Sequence, residues 1–200
     1  METNMINEDL YMGLDCSLNN SGIVVFGKTT GYLYESIKPK CKGYERLAYI
    51  HDSLTKILAK YPNIKGANIE RYAYNKGGSD KSNAGMVFNI GEGGGVVRLA
   101  LFSAGIPVLL TSPNTGKKYA TGKGVGGKEI ILKEVYKRFG EDLDDDNLAD
   151  ALVMARIAYH WFTDDYEGLT KAQIEAVKAA SLEHEPPKPT SRRKRRVKRK

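Results

Sequence analysis

The sequence is poor in the features that would place it outside the cell or in a membrane. Its 200 residues include two cysteines, Cys16 and Cys41, too few for a disulfide framework and without the spacing of a zinc motif. The three histidines, His51, His160 and His184, are scattered and share no metal-ligand spacing. No apolar run approaches the roughly 20 residues that a bilayer span needs. The N-terminus lacks the basic stretch, apolar segment and small-residue cleavage site of a secretory signal. These absences predict a reducing, intracellular setting and no membrane contact.

Acidic charge is also missing from one place. The last ten residues, Ser191–Lys200, hold eight Lys or Arg and no acid; without them Lys+Arg falls from 31 to 23 against 24 acidic residues, so the body is near −1. A roughly neutral body therefore carries a cationic tail that attracts polyanions without reading their sequence. The length predicts one domain with an appendage. We expect a flexible N-terminus at 1–9, one compact domain at 10–165, a C-terminal helix within 166–186 and a basic tail at 187–200.

Turn chemistry and apolar periodicity divide the body. Three short strands at 10–17, 22–27 and 31–38, joined by Asn19-Asn-Ser-Gly and Gly27-Lys-Thr-Thr-Gly, predict an antiparallel meander. Leu47, Ile50, Leu54, Ile57, Leu58 and Tyr61 recur at helical spacing over about 43–61. A strand at 65–71, a loop at 72–83, a helix at 84–104, a strand at 106–111 and helices at 128–139, from 146 and at 170–182 follow. The order β-β-β-α-β-α-β-α-α predicts a mixed sheet in which 10–17, 67–70 and 106–111 run parallel through helical crossovers. Within the second helix, Gly91-Glu-Gly-Gly-Gly costs about 1 kcal/mol per glycine relative to alanine. That cost predicts close backbone approach to another helix.

Four acids stand out against apolar surroundings. Asp15 lies in Tyr11-Met-Gly-Leu-Asp-Cys-Ser, Glu70 ends Ala67-Asn-Ile-Glu, and Asp146 and Asp150 open an apolar helix. Such carboxylates are costly to bury unless they are paired or bind a cation. At the ends of parallel strands they suit Mg²⁺, which prefers oxygen ligands. Residues three and four apart share a helix face, so Asp150 with either Asp146 or Asn147 can point at Asp15 and Glu70. Asp146 alternatively caps its helix. This pattern predicts a metal-dependent phosphodiesterase, with two ions for an in-line displacement. Two decoys are set aside. Gly122-Lys-Gly-Val-Gly-Gly-Lys-Glu has P-loop spacing, but Glu129 stands where Ser or Thr should be, so no nucleotide cofactor is expected. Gly91-Glu-Gly-Gly-Gly does not open a helix after a strand, so it is no dinucleotide fingerprint. Tyr72 and Tyr74 are either surface residues or platforms that stack a splayed base.

Taken in order, these segments resemble the RuvC-type Holliday-junction resolvases of the ribonuclease H-like superfamily. Gly13-Leu-Asp15-Cys-Ser-Leu-Asn-Asn-Ser-Gly is similar to the family's opening aspartate strand, and Asn68-Ile-Glu70 to its glutamate strand. Gly91-Glu-Gly-Gly-Gly-Val-Val-Arg resembles its small-residue helix. Lys117-Lys-Tyr-Ala-Thr-Gly-Lys-Gly-Val-Gly-Gly-Lys128 resembles its lysine-containing connection, and Ala149-Asp150-Ala-Leu its closing acidic helix. The resemblance covers about residues 10–160. It implies a ribonuclease H-like α/β fold with a five-stranded mixed sheet, three antiparallel strands followed by two parallel ones. It implies a homodimer that nicks four-way DNA junctions symmetrically, using Mg²⁺ or Mn²⁺. Asp15, Glu70 and Asp150 then become metal ligands, with Asp146 or Asn147 beside them. Tyr72, Tyr74, Lys117, Lys118, Lys123 and Lys128 become DNA contacts, aided by Arg192, Arg193, Lys194, Arg195 and Arg196 of the tail. Two departures stand out. Asn147 occupies the position where the family usually has its other helix acid. Ala73, between Tyr72 and Tyr74, occupies the place of a frequent family aromatic. The tail lies outside the resemblance, and a compact protein with such additions looks more like a phage-encoded version than a housekeeping one, acting in the cytoplasm of a bacterial or phage-infected cell. Other ribonuclease H-like nucleases, acting on flaps or RNA–DNA hybrids, and a non-catalytic junction-binding protein are the competing readings.

Overall fold

The computed structural model describes residues 6–71 and 84–183, with side chains from 88 onward in the second stretch. Strands β1 (Leu10–Asp15), β2 (Ser21–Gly27) and β3 (Gly31–Ile37) form the antiparallel meander. Helix α1 (Gly43–Lys60) leads to β4 (Ile64–Glu70), which runs parallel to β1, and helix α2 (Ala84–Ser103) leads to β5 (Val108–Thr111), parallel to β4. Helices α3 (Pro113–Thr121), α4 (Lys128–Phe139), α5 (Asp146–Thr163) and α6 (Lys171–Ala179) follow. The chain then returns as β6 (Ser181–Leu182), giving six strands in the order β3-β2-β1-β4-β5-β6.

The sheet separates two cores. Leu10, Met12 and Leu14 of β1 pack with Ile50, Leu54 and Ile57 of α1 and with Val97 and Leu101 of α2. On the other face, Tyr11 and Val24 pack with Leu152, Ala155, Ile157 and Ala158 of α5, and Val177 of α6 joins them. Helix α5 lies close on the strands because two positions beneath it lack a Cβ. A Cβ on Gly13 would sit 2.0 Å from the Ala151 carbonyl oxygen, and one on Gly22 2.4 Å from that of Asn147.

Three expectations need correction. The connection after β5, to which the sequence assigned no element, carries a helix: Ser112 caps α3 by accepting from the Thr115 N–H at 3.2 Å, Pro113 fills the first turn, and Gly122 at φ 79° ends it. The last helix stops at Ala179. Ala180 turns to extended geometry, and the chain joins the free edge of β5, where Glu183 N–H donates to Val108 O at 3.0 Å. The sheet therefore has six strands, not five. Helix α2 packs against α1. Of its glycines, Gly93 packs against Leu18, with a Cβ at 3.1 Å, whereas a Cβ on Gly91 or Gly95 would meet nothing within 4 Å among the described residues. Among the described residues, no helix is long and apolar enough to cross a membrane. Cys16 and Cys41 are both free thiols.

Candidate active site

Alternation along the strands decides which way the acids point. Leu10, Met12 and Leu14 face α1 and α2, so Gly13 and Asp15 face α5. In β4, Ala67 and Ile69 share that first core, so Asn68 and Glu70 also face α5. Leu14 pairs with Ile69, which sets Asp15 and Glu70 side by side on neighbouring parallel strands. Helix α5 begins above them, with Asp146 in its first turn and Asp150 one turn later.

The electrostatics show that these carboxylates feel one another. Burial first, then Asp150, Glu70 and Asp146, push the Asp15 carboxyl up to about 7, with Lys128 opposing. Burial and then Asp146 push Asp150 up to about 6, with Lys128 and Lys117 opposing. Glu70 is raised by burial and by Asp150, with Lys117 opposing. Buried like charges disfavour ionisation in this way. As they stand, no three His, Cys, Asp or Glu among the described residues converge tightly enough to form a ready ligand cluster. The four acids share electrostatic reach and an all-oxygen donor chemistry, which fits a hard divalent cation. Cys16, next to Asp15, is pushed up to about 12 by burial and by Asp15, so its thiol stays protonated.

The cations divide. Lys128, the first residue of α4, donates to Asp146 Oδ2, and that hydrogen bond raises its own pKa. Lys117 of α3 is half-buried and within reach of Glu70 and Asp150. Lys118 instead pairs with Glu175 of α6 at 2.5 Å and is not brought to the carboxylates. Lys123 is exposed in the α3–α4 link. Tyr72, Tyr74, Arg192, Arg193, Lys194, Arg195 and Arg196 lie outside the described residues.

The cap of α5 falls to a residue that the sequence did not single out. Asp145 accepts from the Asn147 N–H at 3.0 Å, so Asp146 is not the cap. Asp145 also accepts from Asn20 Nδ2 at 3.3 Å and lies 3.7 Å from Lys38 Nζ. The Asn147 side chain turns to Asp145 as well. A second overlooked residue is Asn68. It is fully buried, donates to Met154 O at 3.1 Å and accepts from Thr111 Oγ1 at 2.9 Å. It thereby ties β4, β5 and α5 together two residues from Glu70. A buried amide inside an apolar strand was the available signal. His160 sits in the last turn of α5 with Nδ1 on the Asp165 carbonyl, far along the helix from Asp150.

No family model matches the chain. Curated relatives do. It is 33% identical over 113 residues to the crossover junction endodeoxyribonuclease RuvC of Brucella anthropi, over 55% of this chain and 60% of that protein. It is 27% identical over 156 residues to the RuvC of Chloroherpeton thalassium, covering 73% and 79% of the two chains. With the RuvC of Zymomonas mobilis it shares 28% over 153 residues, covering 73% and 87%. In fold it is similar to Thermus thermophilus RuvC in complex with Holliday junction substrate, with a TM-score of 0.64 and 23% identity over 87% of this chain and 99% of that one. Another Thermus thermophilus RuvC structure gives a TM-score of 0.61. The chain is thus similar in sequence to RuvC crossover junction endodeoxyribonucleases and shares the fold of Thermus thermophilus RuvC.

Proposed function

We propose that the protein is a crossover junction endodeoxyribonuclease, which cuts four-way DNA junctions by paired symmetric nicks. The observation that carries this reading is the gathering of Asp15, Glu70, Asp146 and Asp150 at one end of a RuvC-type sheet. Asp15 and Glu70 are fixed on strands and Asp150 on a packed helix, which suits a site that must hold its geometry. These three would hold Mg²⁺ or Mn²⁺, with Asp146 completing the set. Asn147, turned to the cap, is the weaker contender. Two such ions, when bound, activate a water and stabilise the leaving 3′ oxygen. Lys117 and Lys128 at the rim would hold the scissile phosphate. Lys123, Tyr72, Tyr74 and the tail cations would add contacts to the substrate.

The working unit would be a homodimer. Phe88, Gly91, Gly95, Leu99 and Phe102 recur every three or four residues along the outer side of α2, and Phe88 and Phe102 are 74% and 70% exposed. Leu99 and Phe102 also line an open groove with Ile106, Pro107 and Val108. An exposed apolar stripe of this kind marks an interaction surface. A second copy of α2 would cover the stripe at Gly91 and Gly95, where a Cβ would meet nothing within 4 Å among the described residues. The protein would act in the cytoplasm, where such DNA is found.

A cleavage panel tests the reading. Mobile four-way junction, flap and RNA–DNA hybrid are offered in Mg²⁺ and in EDTA. Symmetric nicking of the junction in Mg²⁺ alone is expected. Preference for hybrid or flap would assign another ribonuclease H-like activity. Junction binding without nicking would make the acids structural.

A further inference from the structure

The link between β3 and α1, together with the first turn of α1, has no catalytic role in the site described above. Residues 38–46, Lys-Pro-Lys-Cys-Lys-Gly-Tyr-Glu-Arg, hold four cations and one acid. Lys38, Lys40 and Lys42 are exposed, and Tyr44 presents its ring to solvent at 81% exposure. The sheet register places this strip. Gly22 pairs with Asp15 on one side and with Ser36 on the other. Ser36 is thus two strand spacings, about 10 Å, from Asp15 along one row.

Side chains tie the strip to the site. Lys38 Nζ lies 3.7 Å from Oδ2 of Asp145, the cap of the helix that carries Asp146 and Asp150. Arg46 Nη1 donates to Asn19 Oδ1 at 3.2 Å in the turn that follows Asp15, and the adjacent Asn20 donates to Asp145 at 3.3 Å. Lys117 belongs to α3, which follows β5, and acts on Glu70 of β4, on the far side of β1 from β3, while Lys128 of α4 bonds Asp146 of α5. The carboxylates therefore have Lys117 on their β4 side and the strip on their β3 side, with Lys128 on Asp146.

A phosphodiester brought to four carboxylates is repelled, and cations on one flank alone would leave the other half of its path unfavourable. We infer that residues 38–46 form a second DNA contact, in which Lys40 and Lys42 bind phosphates on the β3 side of the cut and Tyr44 stacks on a nucleotide there. This inference rests on the nuclease reading above. A reach of about 10–20 Å corresponds to about three to six nucleotides of one strand, at about 3.4 Å each. Tyr44 suits the stacking role because every base offers a π-face. Its exposure means that the core does not need it.

The test uses the full-length chain, with anisotropy of labelled four-way junction and linear duplex in EDTA from 50 to 200 mM salt, then nicking in Mg²⁺. Lys40→Glu with Lys42→Glu should weaken junction binding at least tenfold and lower the salt slope by about two. Tyr44→Ala should weaken it about tenfold and Tyr44→Phe should restore it. Lys56→Glu, about 18 Å along α1 from Tyr44, should stay within twofold of wild type. Melting curves check each fold, and Lys40→Gln with Lys42→Gln replaces the reversal if it unfolds. If wild type binds and nicks while the lysine variants keep its affinity and slope, the inference is overturned. If only the lysines matter, the stacking half falls. If wild type neither binds nor nicks DNA, the nuclease reading fails, and this inference with it.

Discussion

Replacing Gly13 by alanine should damage both the fold and the site, by an amount that follows from the packing of α5 on β1. The new Cβ would stand 2.0 Å from Ala151 O, 2.2 Å from Ala155 N and 2.8 Å from Met154 C, whereas ordinary contact begins near 3.4 Å. The helix must retreat, or the strand must bow, by about 1.4 Å, the difference between 3.4 and 2.0 Å. All three obstacles are backbone, so no rotamer change relieves them. Overpacking costs typically 1–3 kcal/mol, and a clash with two turns of backbone belongs near 3 kcal/mol. For a chain of this size about 1 kcal/mol shifts Tm by about 2–4 °C, so a loss of about 6–12 °C is expected. Asp146 and Asp150 move with α5, away from Asp15 and Glu70. A misplacement of about 1 Å can cost about 100-fold in rate. Thermal melting and single-turnover junction nicking measure both effects. For melting of the protomer alone Gly95→Ala is the contrast, since a Cβ there meets nothing within 4 Å among the described residues, although the position belongs to the proposed dimer face. Helix propensity there favours alanine by about 1 kcal/mol. A Gly13→Ala protein that melts within 2 °C of wild type and nicks at the wild-type rate would refute the reasoning.

If Asp146 completes the metal site, Asp146→Asn should cost far more nicking activity than Asn147→Ala, with partial rescue by Mn²⁺; equal losses would contradict the assignment of faces on α5. The His160 ring is pushed down to about 4 by burial, so the unfolded chain takes up a proton below about 6.5 that the fold refuses. Its stability contribution is therefore present above that pH and lost on acidification, by up to about 3 kcal/mol. Urea unfolding of wild type and His160→Gln between pH 7 and 4 should show wild type losing more, and parallel curves would count against it. Deleting residues 188–200 should weaken binding to junction and to linear duplex by similar factors and flatten the salt slope. Loss of junction preference alone would mean that the tail helps to read geometry.

The carboxylates were legible because an acid inside an apolar strand has few structural uses, and Asp15 and Glu70 sit at the ends of such strands. The parallel placement of β1, β4 and β5 followed from helices lying between them. Other features needed tertiary context. Helix α3 carried end signals, Ser112-Pro and Gly122, but its buried face is only Gly116, Tyr119 and Ala120, too little to show a period. Strand β6 is two residues long and exists because β5 offers an edge. In the run Asp144-Asp145-Asp146, neighbouring residues differ by about 100° around the helix axis, and the sequence alone does not say which caps and which faces Asp15. The cations of 38–46 were visible as residues, but their nearness to Asp15 appears only through the pairing of Gly22 with both Asp15 and Ser36.

The central claim is that Asp15 belongs to a metal-dependent cutting site and not to the DNA-holding surface. Wild type and Asp15→Asn, measured side by side for junction affinity and for Mg²⁺-dependent nicking, test it most directly. The account predicts that Asp15→Asn binds the junction about as tightly as wild type, since positioning comes from phosphate contacts, and that it leaves the junction uncut. A variant that nicks at the wild-type rate would contradict it.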